Sequence, residues 1–115
     1  MAKKITNTEK FYVNMTQNAE NDLEEIIMFI AKSSPQAALK IMERIKAKVN
    51  TLYYFPNKGA YVPELLARNI KDYRQITEPP WKIIYKVDHK IVNILVIIDS
   101  RRNLQDILIK KLLNQ

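Results

Sequence analysis

The residues of this 115-residue chain that could do chemistry are mostly cations. Arg101 and Arg102 stand side by side in DSRRNLQDIL, between an apolar run and an amphipathic segment. Arg74, Lys82 and Lys86 lie shortly before them at strand-like spacing. Such groups suit phosphate: a guanidinium grips two oxygens in one plane, and an ammonium acts as a point charge. At a phosphodiester they could stabilise the crowded phosphate of a cleavage reaction, with a lysine or tyrosine moving the proton. Tyr61, Tyr73 and Tyr85 are the available phenols, and each is equally suited to a core or its rim.

Other chemistries find no residues. The chain has no cysteine, one histidine and one glycine, which removes thiolate zinc sites, histidine-pair metal sites and glycine-rich phosphate loops. No metal site or cofactor is expected. His89 falls in the turn Asp88–Lys90 and reads as an exposed turn residue. Glu24 and Glu25 are helix neighbours that point in different directions, so they form no carboxylate pair.

The formal charge of +7 favours a polyanionic partner: RNA, DNA or an acidic protein. It is also compatible with a basic surface that only serves solubility. The charge is uneven, because Glu20, Asp22, Glu24 and Glu25 crowd one helical segment and leave the excess elsewhere. The polar start MAKKITNTEK has no apolar stretch behind it, and the longest apolar run, 91–98, is too short to span a bilayer. A soluble, cytoplasmic chain is expected, with residues 1–10 a flexible N-terminus ahead of a single domain.

The elements that must position the cations follow from periodicity. FYVNMT (11–16) reads as a first strand. Ala19, Leu23, Ile26, Ile27 and Ile30 recur at helical spacing behind the cap Thr16. Ser34-Pro35 opens a second helix, whose stripe is Ala38, Ile41, Met42, Ile45, Val49, Leu52 and Tyr53. Asn57-Lys58-Gly59 turns the chain, and Pro63–Ala67 reads as one helical turn or a loop. Three strands are expected at 72–77, 81–87 and 91–98, then a helix through Leu104, Ile107, Leu108 and Leu112 capped by Asn103. The order β-α-α-β-β-β-α means an α+β domain, a helical hairpin against one face of a small, mostly antiparallel sheet.

If Glu78-Pro79-Pro80 and Asp88-His89-Lys90 each close a three-residue hairpin, Thr77 pairs with Trp81 and Arg74 with Ile84. One face then carries Tyr73, Gln75, Thr77, Trp81, Ile83, Tyr85 and Val87. The other carries Arg74, Lys82 and Lys86 with Ile76 and Ile84, a basic plane bordered by Arg101 and Arg102. The same three cations are also what the wet side of a half-buried sheet holds. A bulge would flip part of this assignment.

Several motifs occur in an order that resembles the RelE/ParE toxin superfamily, in its plasmid-stabilisation-like branch. They are A-x-x-D-L-x-x-I at 19–26, Ser34-Pro35 with Ala37-Ala38, L-x-x-F-P-x-x-G at 52–59 and V-P-E-L at 62–65. Tyr73-Arg74, W-K-I-I-Y-K-V at 81–87 and the closing D-S-R-R-N-L-x-D-I-L complete the series. The likeness spans roughly residues 11 to 113.

The resemblance implies a growth-inhibiting toxin of a type II toxin–antitoxin pair, held by a cognate antitoxin protein. RelE-like members cut messenger RNA on the ribosome; ParE-like members poison DNA gyrase. By position, Lys82 and Arg101 match basic residues of the nucleases, and Arg74 falls near a third. The nucleases place a tyrosine or histidine in the C-terminal helix, where this chain has Ile107 and Leu108 and no such group in 100–115. The expectation therefore leans to gyrase, with ribosome-dependent RNA cleavage by Arg74, Lys82 and Arg101 as the alternative. A non-toxic basic nucleic-acid-binding domain is the third reading. Leu66, Ile109, Leu113 and the hairpin stripes offer apolar surface for an antitoxin, or simple burial.

Overall fold

The protein is described from a computed structural model over residues 11–113. The expectation for residues 1–10 lies outside the described residues. Five strands form one sheet in the order β1-β5-β4-β3-β2: β1 Tyr12–Met15, β2 Ala60–Tyr61, β3 Arg74–Glu78, β4 Trp81–Asp88 and β5 Ile91–Asp99. β1 runs parallel to β5 and every other pairing is antiparallel. The mostly antiparallel α+β arrangement stands as expected, with β2 as an added two-residue edge.

The helices start where their caps place them. α1 (Gln17–Ala31) begins at Thr16, whose hydroxyl accepts the Ala19 N–H at 3.2 Å. α2 (Pro35–Asn50) begins at Ser34, whose hydroxyl accepts the Ala37 N–H at 3.1 Å, with proline in the first turn where a missing N–H costs nothing. Together with the 3₁₀ turn Thr51–Tyr53 that follows α2, they lay Leu23, Ile45, Val49 and Leu52 on Ile83, Tyr85 and Ile97 of the sheet. Each such side chain, removed from water, contributes about 1.5–3 kcal/mol before conformational entropy is charged against it. Arg44 of α2 is ion-paired to Glu78 at the end of β3.

The opposite face is a second core. α3 (Pro63–Leu66) and α4 (Leu104–Leu108), followed by a π-helical turn at Ile109–Leu113, cover it. Val62, Leu65, Leu104 and Leu108 close over Ile84, Val96 and Ile98. Three β-branched residues on this side of β4 and β5 demand such a cover, so it is not the wet basic surface the spacing suggested.

The register also differs from expectation. Glu78 pairs with Trp81 and Thr77 with Lys82, so Pro79-Pro80 is a two-residue connection. One residue fewer in the loop slides β3 by one, and a one-residue slide turns each of its side chains to the other face. Arg74 now pairs with Tyr85, and Ile76 with Ile83, on the hairpin side; Gln75 and Thr77 share the side of Ile84 and Lys82. The second connection is short as well: Asp88 pairs with Ile91, and His89 takes a φ of 58° in the turn. β5 carries one extra residue, Leu95, opposite the Ile84/Tyr85 step of β4.

Candidate functional site

The expected cations do not share one plane. Lys82 lies on the α3/α4 side, and its Nζ stands 4.0 Å from Glu64 Oε2 of α3. Lys86 is on the same side further along β4, with Nζ 5.8 Å from the Tyr73 ring centre. Arg74 is on the other side. Its guanidinium stacks 4.6 Å over Tyr61 and donates to the Gly59 carbonyl at 2.7 Å. Arg74 is separated from Lys82 because the shortened loop put it in the Tyr61–Arg74–Tyr85 row.

What forms instead is two separate clusters of charged residues. Arg74, Lys71 and Lys86 line a small depression of ≈ 260 Å³ beside Tyr61. Arg101 and Arg102 line a groove of ≈ 930 Å³ between α1 and the sheet, together with Phe29, Ile30, Trp81 and Ile107. Arg101 is neutralised in place. Its Nε reaches Asp99 Oδ1 at 2.9 Å and its Nη2 reaches Oδ2 at 2.5 Å. The guanidinium hydrogen bonds hold the Asp99 carboxyl down at about 2 and push Arg101 upward. Arg102 is exposed, and no hydrogen bond from its side chain to another described residue occurs. The adjoining α4 is five residues long, and its Asp106 N–H already faces the Asn103 side chain at 3.4 Å. A helix this short has little dipole with which to hold an anion.

Beside this groove one carboxylate of α1, Asp22, has a structural role that spacing did not reveal. Asp22 accepts the Ile97 N–H at 3.0 Å and pairs with Lys111 at 3.0 Å. One turn earlier Asn18 donates to the Leu95 carbonyl at 2.7 Å. The i, i+4 spacing of Asn18 and Asp22 was the available signal, although nothing in it named β5 as the partner.

The remaining groups fit structure better than acid–base chemistry. Tyr85 is fully buried; its hydroxyl accepts the Gly59 N–H at 2.9 Å, and burial pushes its phenol up. His89 is exposed in its turn with Nδ1 2.8 Å from Asp88 Oδ1, far from the arginine groove in the sheet. Among the described residues no helix is long and apolar enough to cross a membrane.

A family model described as the ParE toxin of the type II toxin–antitoxin system parDE matches residues 13–104. The chain belongs to the ParE toxin family. Comparison with curated proteins gives no significant match. Among solved structures, a chain of the chromosomal ParDE toxin–antitoxin system from P. aeruginosa superposes with a TM-score of 0.65 at 25% identity, over 80% of this chain and 98% of that one. A chain of the toxin–antitoxin complex RelBE2 from Mycobacterium tuberculosis reaches 0.54 at 17% identity, over 81% and 94%, a likeness of fold. The matched region therefore runs from β1 to the start of α4, and contains the Tyr61 depression and the arginine groove apart from Ile107 and Lys111.

Proposed function

We propose that this ParE-family toxin inhibits growth by binding DNA gyrase rather than by cutting RNA, and that a cognate antitoxin protein holds it inactive. The observation that carries the reading is the dispersal of Arg74, Lys82 and Arg101. RNA cleavage needs a phosphate clamp and a proton-transfer group within hydrogen-bond reach of the same phosphodiester. Here Lys82 faces Glu64, Arg101 is held by Asp99, and Arg74 is spent on Gly59 and Tyr61 across the sheet. Residues 100–115 contain no tyrosine or histidine to move a proton beside them. A surface of paired charges around an apolar groove suits protein recognition, where charge sets register and encounter rate.

An antitoxin partner is supported by the P. aeruginosa neighbour, which comes from a ParDE toxin–antitoxin system. The charge of +7 suits an acidic one. Both proposed partners are cytoplasmic, so the chain is proposed to act there.

Pulse-labelling DNA and protein synthesis separately after induced expression tests the target. The expected result is gyrase-linked DNA breaks and falling DNA synthesis while translation continues, together with inhibition of supercoiling by purified gyrase. Immediate translational arrest, with cuts inside ribosome-bound codons, replaces this reading with the endonuclease. Unimpaired growth leaves only a basic nucleic-acid-binding domain.

A further inference from the structure

Four cations are ion-paired within the chain: Arg44 with Glu78, Lys82 with Glu64, Arg101 with Asp99 and Lys111 with Asp22. Lys71, Arg74 and Lys86 are different. They line one depression of ≈ 260 Å³ beside β2, β3 and β4, and none of them has an ion pair among the described residues. Arg74 is nevertheless held in place. Its Nη1 donates to the Gly59 carbonyl at 2.7 Å and to the Asn57 carbonyl at 3.4 Å, and its guanidinium stacks 4.6 Å over Tyr61. The buried Tyr85 hydroxyl accepts the Gly59 N–H and anchors that loop to the core. All these partners are neutral, so they fix the guanidinium without cancelling its charge. Only Nη1 is used; Nε and Nη2 make no hydrogen bond to a described residue. Lys86 also rests on a neutral partner, the Tyr73 ring.

We propose that this depression binds one phosphate group of a small phosphorylated ligand, through Arg74 Nε and Nη2 and the ammonium groups of Lys71 and Lys86. Two N–H groups of a guanidinium, fixed in one plane, match two phosphate oxygens, and each ammonium adds a point charge. Because Arg74 is already held by Gly59 and Tyr61, it has little side-chain freedom left to lose on binding. Size and layout choose among phosphate-bearing partners. The depression falls below the about 300–1,000 Å³ of pockets for drug-sized molecules, which leaves room for a phosphate and little else. A nucleic-acid strand asks for cations strung along its track, whereas these three line a single hollow. Asp72 lines it too, and its carboxylate opposes an anion. The site shares no residue with the groove of Arg101 and Arg102, so it stands apart from the gyrase and antitoxin readings.

The test titrates the full chain with inorganic phosphate, adenosine monophosphate and a short oligothymidylate, with chloride at matched ionic strength as the control. The Arg74 Nε–H resonance reports binding. It is expected to shift and saturate with phosphate and with the mononucleotide, and to stay in place with chloride. Lys71→Gln combined with Lys86→Gln, both at exposed positions, is expected to weaken binding about tenfold or more. Asp72→Asn is expected to tighten it about twofold to fivefold, and Lys40→Gln on α2 to leave it within about twofold. Three results overturn the site: no saturation with either phosphate compound, the same shift with chloride, or a double variant that binds as the parent does. Oligothymidylate that binds about tenfold or more tighter than the mononucleotide overturns the small ligand in favour of a nucleic-acid strand.

Discussion

Asp99 holds Arg101 in a two-point ion pair, Nε to Oδ1 at 2.9 Å and Nη2 to Oδ2 at 2.5 Å, and its Oδ1 also accepts the Arg101 backbone N–H at 2.9 Å. The Arg101 side-chain hydrogen bond is the leading reason the Asp99 carboxyl sits at about 2 instead of 3.8. A carboxyl lowered on folding favours the folded state above its unfolded value, and that contribution is lost as pH falls through about 2. The pair is solvent-exposed, so its effect on stability is small. Carbon-detected NMR is expected to place the Asp99 midpoint near 2, and Arg101→Ala to move it back toward 3.8. A parent midpoint already at the ordinary value contradicts the pair.

The separation of the basic residues makes a functional prediction. If growth inhibition is by binding to gyrase, Lys82→Ala, alone or with Arg101→Ala, leaves toxicity on induction within about threefold of the parent, less than 1 kcal/mol of target affinity. A ribosome-dependent nuclease would lose it, because charge stabilisation of the transition state contributes about 10²–10³ in rate per donor. Colony counts over a range of inducer decide between these outcomes, provided immunoblots show equal expression.

Gly59 is present because nothing larger fits. A Cβ there would lie 2.6 Å from the Gln75 carbonyl oxygen and 2.6 Å from the Tyr85 hydroxyl. The first contact is backbone and cannot swing aside. Gly59→Ala is expected to destabilise by about 1–3 kcal/mol through overpacking. Tyr85→Phe removes the acceptor for the Gly59 N–H and is expected to cost about 1–3 kcal/mol, the penalty of leaving a buried donor unmet. Urea unfolding of the two variants measures both. A midpoint unchanged in either removes Tyr85 as the anchor of this turn.

Local chemistry made the helices readable. Thr16, Ser34 and Asn103 each form the cap hydrogen bond that their type and place suggested. Alternation along β4 also held, with Ile83 and Tyr85 on one core and Ile84 on the other. What could not be read was loop length. Glu78-Pro79-Pro80 announces a turn, but whether Glu78 ends the strand or begins the turn depends on cross-strand bonds that periodicity does not contain. That single residue moved Arg74 away from Lys82. The Leu95 bulge was equally hidden, because Ile94–Ile98 is apolar without interruption and shows no alternation to break. Glu64 as the partner of Lys82 depends on α3 folding over the sheet, a long-range event.

Asp22 offers the sharpest test of how the groove is built. Its carboxylate is 11% exposed and joins three elements: it sits on α1, accepts the Ile97 N–H of β5, and pairs with Lys111 behind α4. Asp22→Ala leaves the Ile97 N–H at a strand edge and frees Lys111 from this pairing. Asp22→Asn keeps an oxygen acceptor for Ile97 and weakens the pairing with Lys111. The alanine variant is therefore expected to cost about 1–3 kcal/mol, and the asparagine variant less. Amide exchange should accelerate at Ile97 in the alanine variant only, while residues 104–113 loosen in both, because Lys111 holds that segment to α1 through charge. Equal exchange at Ile97 in parent and alanine variant would show that Asp22 does not secure this part of the β5 edge. The wall of the groove would then owe its position to the Asn18–Leu95 hydrogen bond and to apolar packing.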